Sequence, residues 1–395
     1  MRTVGIIAEF DPFHRGHAWL IAEAKRLTGA EYAVIVMSSV FTQRGEPALL
    51  PPGARTRMAL ASGADAVFAL PALWAVRDAE HFALAGVSIA AGLGCDALCF
   101  GAEKPEMTLL SDAARILEEE PPAFAAALRE GLDQGMPHPA ARAAAAEKVM
   151  PGAGALLSGP NNTLAICYLR AIRQLQCSLV PVAVRRLGDH RSSLRTGGEG
   201  EFASASAVRQ AILTGDIASA RREIPEASWP VMAAFLDKIH RPEALDQALR
   251  YRLLTMQADE WTALPGLSEG IGDRLRRAAR AAAGRQEILR EAAAFRYPKA
   301  RLSRLCTHAL LGITEADLVA CPLPPAAWLL GLRRDAAPLL RHLKLKSSLP
   351  LIGKAAGNPF AGERWFMLEA AAYDVWCLGA GLPAGLAFTQ GVAAV

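Results

Sequence analysis

The sequence predicts an α/β chain: a Rossmann-like doubly wound parallel sheet in residues 1–215, a helical insertion at about 106–150, and an all-α segment over 216–395. Three observations carry that reading. Short β-branched apolar runs alternate with amphipathic stretches through the first half. The first run ends in a turn rich in Pro, His and Gly that opens onto a helical pattern. Beyond Gly215 the periodicity is almost exclusively helical.

Val4 to Glu9 is a β-branched run with little alternation, as a strand buried on both faces requires, and His17 to Thr28 then shows helical spacing with Gly29 as its stop. Tyr32 to Ser38 and Ala66 to Leu70 are the next strands, with a helix over Arg55 to Ser62 between them. A helix over Ala79 to Gly92 leads to a fourth strand, Ala97 to Phe100. Right-handed crossovers make such a sheet parallel and place its ligands beyond the strands' carboxyl ends, here the Glu9 to Gly16 loop and Gly101. Glu106 to Met150 is rich in Ala and Glu, with breaks at Met136-Pro137 and His138-Pro139, which reads as helices. Thr163 to Leu175 is a helix, Leu179 to Val184 a fifth strand, and Ser206 to Thr214 a helix closed by Gly215; a domain boundary is expected near Asp216.

Of the 395 residues, 52% are hydrophobic and 21% charged, and there is no low-complexity run, which fits ordered structure throughout. The seven scattered cysteines suit reduced thiols in a cytoplasmic protein. Cys95 and Cys99 form the one close pair, and with no histidine nearby they read as buried thiols and not as a zinc site. No stretch has eighteen uninterrupted apolar residues and the amino terminus lacks a signal-peptide pattern, so neither a membrane span nor secretion is expected. Between Gly270 and Lys346 there are fifteen Lys and Arg against six Asp and Glu. That surplus fits a polyanion surface and solvated helix faces equally well.

The chemistry concentrates in D-P-F-H-R-G-H, where His14 and His17 stand three residues apart as a helix begins. H-x-G-H is expected on the order of 0.01 times by chance in a chain of this composition. Attack on an α-phosphate builds negative charge on its oxygens, and two imidazoles beside a helix amino terminus can donate hydrogen bonds to them; the alternative is that His14 serves as a helix N-cap partner and His17 as a satisfied core histidine. Gly16 permits close approach, while Pro12 and Phe13 stiffen the turn. Ser204 to Arg209 (S-A-S-A-V-R) puts hydroxyls and Arg209 at a helix start, which serves either β- and γ-phosphate binding or ordinary capping. Arg185 and Arg186 end the fifth strand at the ligand edge, and Asn161-Asn162 are candidates for base or ribose contact. Lys344 to Ser348 (K-L-K-S-S) lies outside the α/β region and suits RNA better than ATP.

The sequence resembles the bacterial tRNA(Met) cytidine acetate ligases, of the H-x-G-H nucleotidyltransferase type. The matching stretches are G-I-I-A-E-F-D-P-F-H-R-G-H, Gln43 to Ala48, Gly63 to Pro71, Ala79 to Ala83, Cys99 to Glu103, Pro160 to Leu164, Ala203 to Arg209, and F-R-Y-P-K-A-R-L-S-R-L from Phe295 to Leu305 with the H-A-L-L-G-I that follows. They run in order along nearly the whole chain. The resemblance implies that acetate attacks the α-phosphate of ATP to give acetyl-AMP, and that the acetyl group then passes to the exocyclic amine of the wobble cytidine of elongator tRNA(Met). It implies catalysis by His14 and His17. ATP, accompanied by Mg2+, would be bound by Ile7, Ala8, Glu9, Phe10, Asp11, Pro12, Phe13, His14, Arg15, Gly16, His17, Ala18, Trp19, Leu20, Gly101, Asn162, Arg185 and Arg186, with Ser206 and Arg209 at the outer phosphates. RNA would meet Arg296, Lys299, Arg301 and Arg304, with Lys344 and Lys346 behind them.

The chain departs from the family pattern at three places: Asp11 where Asn is usual, Ser39-Val40 where Gly-Asn is usual, and a shortened Asp189-His190-Arg191 element. Asp11 beside phosphates would repel them unless it helps to hold a metal. Two rival readings are a small-molecule adenylyltransferase making a nucleotide cofactor and an RNA-binding protein with a vestigial nucleotide site. The basic helical half argues against the first, and retention of His14, Gly16 and His17 against the second.

Overall fold

A computed structural model describes residues 1–187, 202–268, 270–294 and 297–395. The first five strands are β1 (Thr3–Ala8), β2 (Tyr32–Ser38), β3 (Ala66–Leu70), β4 (Ala97–Ala102) and β5 (Val180–Arg185). They pair in parallel in the spatial order β5-β4-β1-β2-β3. The chain winds outward from β1 through β2 and β3, then returns to place β4 and β5 on β1's other side. The strand order therefore reverses between β1 and β4, where a doubly wound sheet leaves a crevice at its carboxyl edge.

The central strands are largely apolar because helices cover both faces: Val34, Ile35, Val36 and Met37 of β2 are fully buried, whereas the edge strand β5 is partly exposed. Helix α1 (Arg15–Thr28) returns from β1 and stops at Gly29 in the left-handed conformation, as its sequence signal predicts. Helix α2 (Pro52–Ala61) follows β2. The insertion consists of helices at Met107–Glu119, Pro122–Asp133 and His138–Val149. Pro122 and Pro139 lie in first turns, where a missing N–H costs nothing, and Pro121 and Pro137 are N-caps, so the expected breaks at Met136-Pro137 and His138-Pro139 are one helix start.

The all-α expectation for 216–395 needs correction. Strand β6 (Ala327–Leu332) pairs antiparallel with β3, and β7 (Leu351–Ile352) and β8 (Ala393–Ala394) both pair with β6. A run as short as A-W-L-L-G-L shows no period that separates a buried strand from a helical turn. Arg333, just after β6, forms an ion pair at 2.8 Å with the fully buried Asp65, which precedes β3. Helix 364–379 packs on the same core, where Glu369 accepts a hydrogen bond from Ala72 N–H at 2.6 Å and Trp376 donates to the Ala48 carbonyl at 2.7 Å. What is helical with a core of its own is the stretch from Leu249 to Ala309, centred on Leu253, Ile271, Leu275, Ile288 and Leu302.

Candidate active site

A cavity of about 450 Å3 opens at the reversal point, lined by the end of β1, the start of α1, the turn after β2, the end of β4 and the segments around Asn161, Arg186 and Ser204. His14 is the N-cap of α1. Its Nδ1 accepts from Gly16 N–H at 3.0 Å, while His17 Nδ1 accepts from His14 N–H at 3.2 Å, a reciprocal capping box built from two imidazoles. Each Nδ1 lone pair is therefore occupied, and a neutral ring must carry its proton on Nε2. The ring centroids lie 3.9 Å apart, and His17 rests on Phe10 and Phe13 at 4.9 and 5.6 Å.

Burial and the charge of Arg186 hold His14 down to about 3, and burial with the neighbouring His14 holds His17 well below the usual imidazole range. At neutral pH the pair is two neutral N–H donors, suited to charge that develops on a phosphate. A Cβ on Gly16 would lie 2.8 Å from the His14 ring, so glycine here lets the imidazole fold back over the helix start. Phe10 takes the left-handed conformation (φ 51), which turns the chain out of β1 and sends its ring beneath His17.

Among the described residues, three carboxylates line the cavity. Asp11 is buried, with one oxygen accepting from Leu49 N–H at 2.7 Å and the other from Arg209 at 2.6 Å. The repulsion expected of Asp11 toward phosphate is thus offset within the protein, and Arg209 has a carboxylate partner where the sequence suggested phosphates. Glu46 lies 3.7 Å from the same guanidinium. Glu9 Oε1 accepts from Gln43 N–H at 2.5 Å, and burial pushes its carboxyl above the usual range. Beneath them the fully buried Arg55 donates to the carbonyls of Glu9 (2.6 Å), Ser38 (2.9 Å) and Leu50 (3.0 Å), tying the turns after β1 and β2 together.

Gly101, near the end of β4, faces open space: a Cβ built there meets nothing within 4 Å. Helix 160–174 starts at Pro160, three residues earlier than its periodicity suggests, which puts Asn161 and Asn162 in its first turn. Their roles divide. Asn161 lines the cavity and accepts from Arg186 at 2.9 Å, whereas Asn162 is buried behind it, its amide oxygen accepting from Lys104 N–H at 3.0 Å. Glu103 fixes both by accepting from Asn161 and Asn162 N–H at 3.1 and 2.7 Å.

The structure brings Ile7, Ala8, Glu9, Phe10, Asp11, His14, Gly16, His17, Trp19, Leu20, Gly101, Arg186, Ser206 and Arg209 to the cavity wall. Pro12, Phe13, Arg15, Ala18, Asn162 and Arg185 are not part of that lining; Phe13 is buried beneath His17, and Arg185 is exposed at the end of β5. Sequence reasoning missed Phe82, Phe100 and Tyr168 on the apolar wall, and the Thr42 to Glu46 turn. Apart from Thr42, that turn lies inside the matching stretch Gln43 to Ala48, and its R-G-E was the available signal.

The same turn is where the helical unit meets the site. Gly45 (φ +76) presses against helix 299–311, where an added Cβ would lie 3.0 Å from Arg304 Cα and from the Ser303 carbonyl. Lys299, Arg301 and Arg304 belong to this helix: Lys299 is exposed, Arg301 donates to the Gly266 carbonyl at 2.8 Å, and Arg304 is half-buried. Arg296 and the Asp189-His190-Arg191 element lie outside the described residues. Lys344 and Lys346 are exposed but not behind the others. Lys346 flanks Gly94 and, with Arg2 and Asp96, lines a hollow at the amino ends of the strands, the opposite edge from the cavity.

A neutral imidazole pair capping the first helix of a doubly wound sheet, above a crevice with room for a nucleotide, marks a nucleotidyltransferase-type α/β protein. The family model described as HIGH Nucleotidyl Transferase matches residues 1–382. A tRNA(Met) cytidine acetate ligase of Geobacillus sp. is 35% identical over 90% of both chains, and one of Acetivibrio thermocellus is 33% identical over 99% of both. The chain belongs to the HIGH nucleotidyl transferases and, among them, to the tRNA(Met) cytidine acetate ligase family. A crystal structure of Thermotoga maritima TmcAL bound with alpha-thio ATP shares the fold, with a TM-score of 0.89 over 100% of both chains at 23% identity.

Proposed function

We propose that the chain activates acetate with ATP to acetyl-AMP and transfers the acetyl group to the exocyclic amine of the wobble cytidine of elongator tRNA(Met), giving N4-acetylcytidine. The observation that carries this reading is the tautomer-locked pair His14 and His17 at the mouth of α1. Acetate itself is a poor acyl donor because oxide is a bad leaving group. The mixed anhydride gives AMP as the leaving group, so activation comes first.

In the first step an acetate oxygen attacks the α-phosphorus and pyrophosphate departs. The two Nε2–H groups donate to oxygens on which charge accumulates, and Arg186 adds a positive field beside them. The open face of Gly101 admits the nucleoside, and Phe82, Phe100 and Tyr168 offer it an apolar wall. Among the described residues no group of three His, Cys, Asp or Glu side chains could hold a metal ion. The side chains do not build a cage, and Mg2+ would be held chiefly by the triphosphate's own oxygens and water, neutralising phosphate charge there.

For the second step the base must be unstacked and brought to the same cavity, and Lys299 and Arg301 at the start of helix 299–311 are candidate contacts for the RNA backbone. The test is to incubate the protein with ATP, radiolabelled acetate and total bacterial tRNA, then digest the RNA. ATP-dependent labelled acetylcytidine is the expected product. ATP-dependent pyrophosphate release that does not need acetate, with no label in RNA, would reject the reading.

A further inference from the structure

Acyl transfer requires something the two histidines do not supply. When the amine nitrogen attacks the carbonyl carbon of the mixed anhydride, a C–N bond forms and the C–O bond to AMP breaks, its electron pair leaving with the phosphate. The nitrogen must also release one proton. Both Nδ1 lone pairs are occupied by backbone N–H groups, so His14 and His17 can donate from Nε2 but have no free lone pair with which to accept. Tyr168, also on the wall, is held in its phenol form by burial.

Among the described residues, the carboxylates on the cavity wall are Glu9, Asp11 and Glu46. Asp11 has both oxygens engaged, by Leu49 N–H and by Arg209. Glu46 is 41% exposed and lies 3.7 Å from the Arg209 guanidinium, so it stands at the open rim with an ion-pair partner. Glu9 differs from both. Its Oε1 is fixed by Gln43 N–H, and among the described residues Oε2 has no hydrogen-bond donor. Desolvation raises its proton affinity, against the opposing charges of Arg44 and Arg209. The Gln43 bond also belongs to the turn on which helix 299–311 rests, so the carboxylate is held on the side from which RNA would come.

We propose that Glu9 is the general base of the acyl-transfer step, its Oε2 taking the proton from the attacking exocyclic amine while the Gln43 backbone holds Oε1. This assignment rests on the function proposed above. The acetate-activation step has no proton to remove, because acetate attacks as its anion. The two half-reactions therefore differ in their need for Glu9.

The experiment measures both half-reactions on the full chain: acetate-dependent ATP–pyrophosphate exchange, and single-turnover transfer from preformed acetyl-AMP to unmodified tRNA. Glu9→Gln is expected to slow transfer by about 10² to 10⁴-fold, and by at least about tenfold more than it slows exchange, which its place on the nucleotide cavity wall also exposes to the change. The acid limb of the wild-type transfer pH profile should vanish with it, and Glu9→Asp should recover part of the rate. Equal loss in both half-reactions, or loss of exchange that added Mg2+ restores, would make Glu9 a residue that positions nucleotide or metal and overturn the assignment. Unchanged transfer would overturn it too. Wild type inactive in both assays would reject the proposed function itself, and Glu9's role with it; wild-type competence leaves the variants to judge Glu9 alone.

Discussion

Arg285 Nη2 donates to the carbonyl oxygen of Gly45 at 2.5 Å, joining residues 240 positions apart. The same nitrogen lies within hydrogen-bond distance of the Ser303 carbonyl (2.8 Å), Ser303 Oγ (2.9 Å) and Thr307 Oγ1 (2.8 Å). A cation this deeply buried is retained only where acceptors surround it. Here they come from the turn beside the candidate active-site cavity and from the helix proposed to meet RNA. Arg285→Ala should cost about 3 kcal/mol or more, because it strands these acceptors. Arg285→Lys should recover part of the loss, since all four contacts are made by one nitrogen, although the lysine stem is one bond shorter. Urea unfolding midpoints measure both, and an alanine variant within about 0.5 kcal/mol of wild type would show that the buried link is energetically idle.

His17→Ala removes an Nε2–H donor and the acceptor of His14 N–H at one stroke. Acetate-dependent pyrophosphate exchange should fall by about 10² to 10³-fold, while tRNA affinity in a filter-binding assay stays within a factor of about three. A parallel loss of RNA affinity would place the imidazole in binding instead.

Gly101 gives a cleaner separation of binding from folding. Because nothing lies within 4 Å of the position a Cβ would take, Gly101→Val should leave the melting temperature nearly unchanged yet weaken ATP binding by at least about tenfold. Calorimetric titration with ATP is the check. Wild-type affinity would mean that the nucleoside does not enter at β4.

The two basic clusters make opposite forecasts. Lys299→Glu with Arg301→Glu should weaken tRNA binding and flatten its salt dependence, whereas Lys346→Glu, at the other edge of the sheet, should change neither. Equal effects from the two sets would argue for RNA wrapping around the whole molecule.

Stability should fall in mild acid. His14 is held down to about 3, and His240 and His308 to about 4, chiefly by burial. His308 donates to the Val76 carbonyl from Nε2 at 2.7 Å, and its Nδ1 is buried with no partner. A depressed imidazole leaves the unfolded chain binding more protons than the native state between about pH 6.5 and the folded value. Unfolding free energy should therefore be full above about pH 7 and drop as the pH falls from 6.5 toward 4, by up to about 1.4 kcal/mol per unit per histidine. Melting temperatures at pH 7.5, 6 and 5 test this, and a flat profile would contradict it.

The sheet and the imidazole pair were legible because each is written locally. Val4 to Glu9 has no polar interruption before its turn, and His14, Gly16 and His17 are set by spacing within one helical turn. The partner of Asp11 could not be read this way. Arg209 lies 198 residues on, and nothing nearby says whether its guanidinium meets a carboxylate or a phosphate. Strand β6 was lost for a related reason: six residues in a helical context carry too little periodicity to declare themselves. The placement of Lys346 failed because charge along a sequence does not say which end of a sheet a helix will reach.

The antiparallel strand that closes the sheet against β3 carries an implication for how the molecule is made. During synthesis the outer rim of β3 has no partner until more than 250 further residues have been added, so a nascent or truncated chain presents an apolar ribbon with unsatisfied amide groups. Such an edge invites pairing with another growing polypeptide. Protein shortened before Ala327 should accumulate as aggregates, and its insolubility would owe nothing to the catalytic turn.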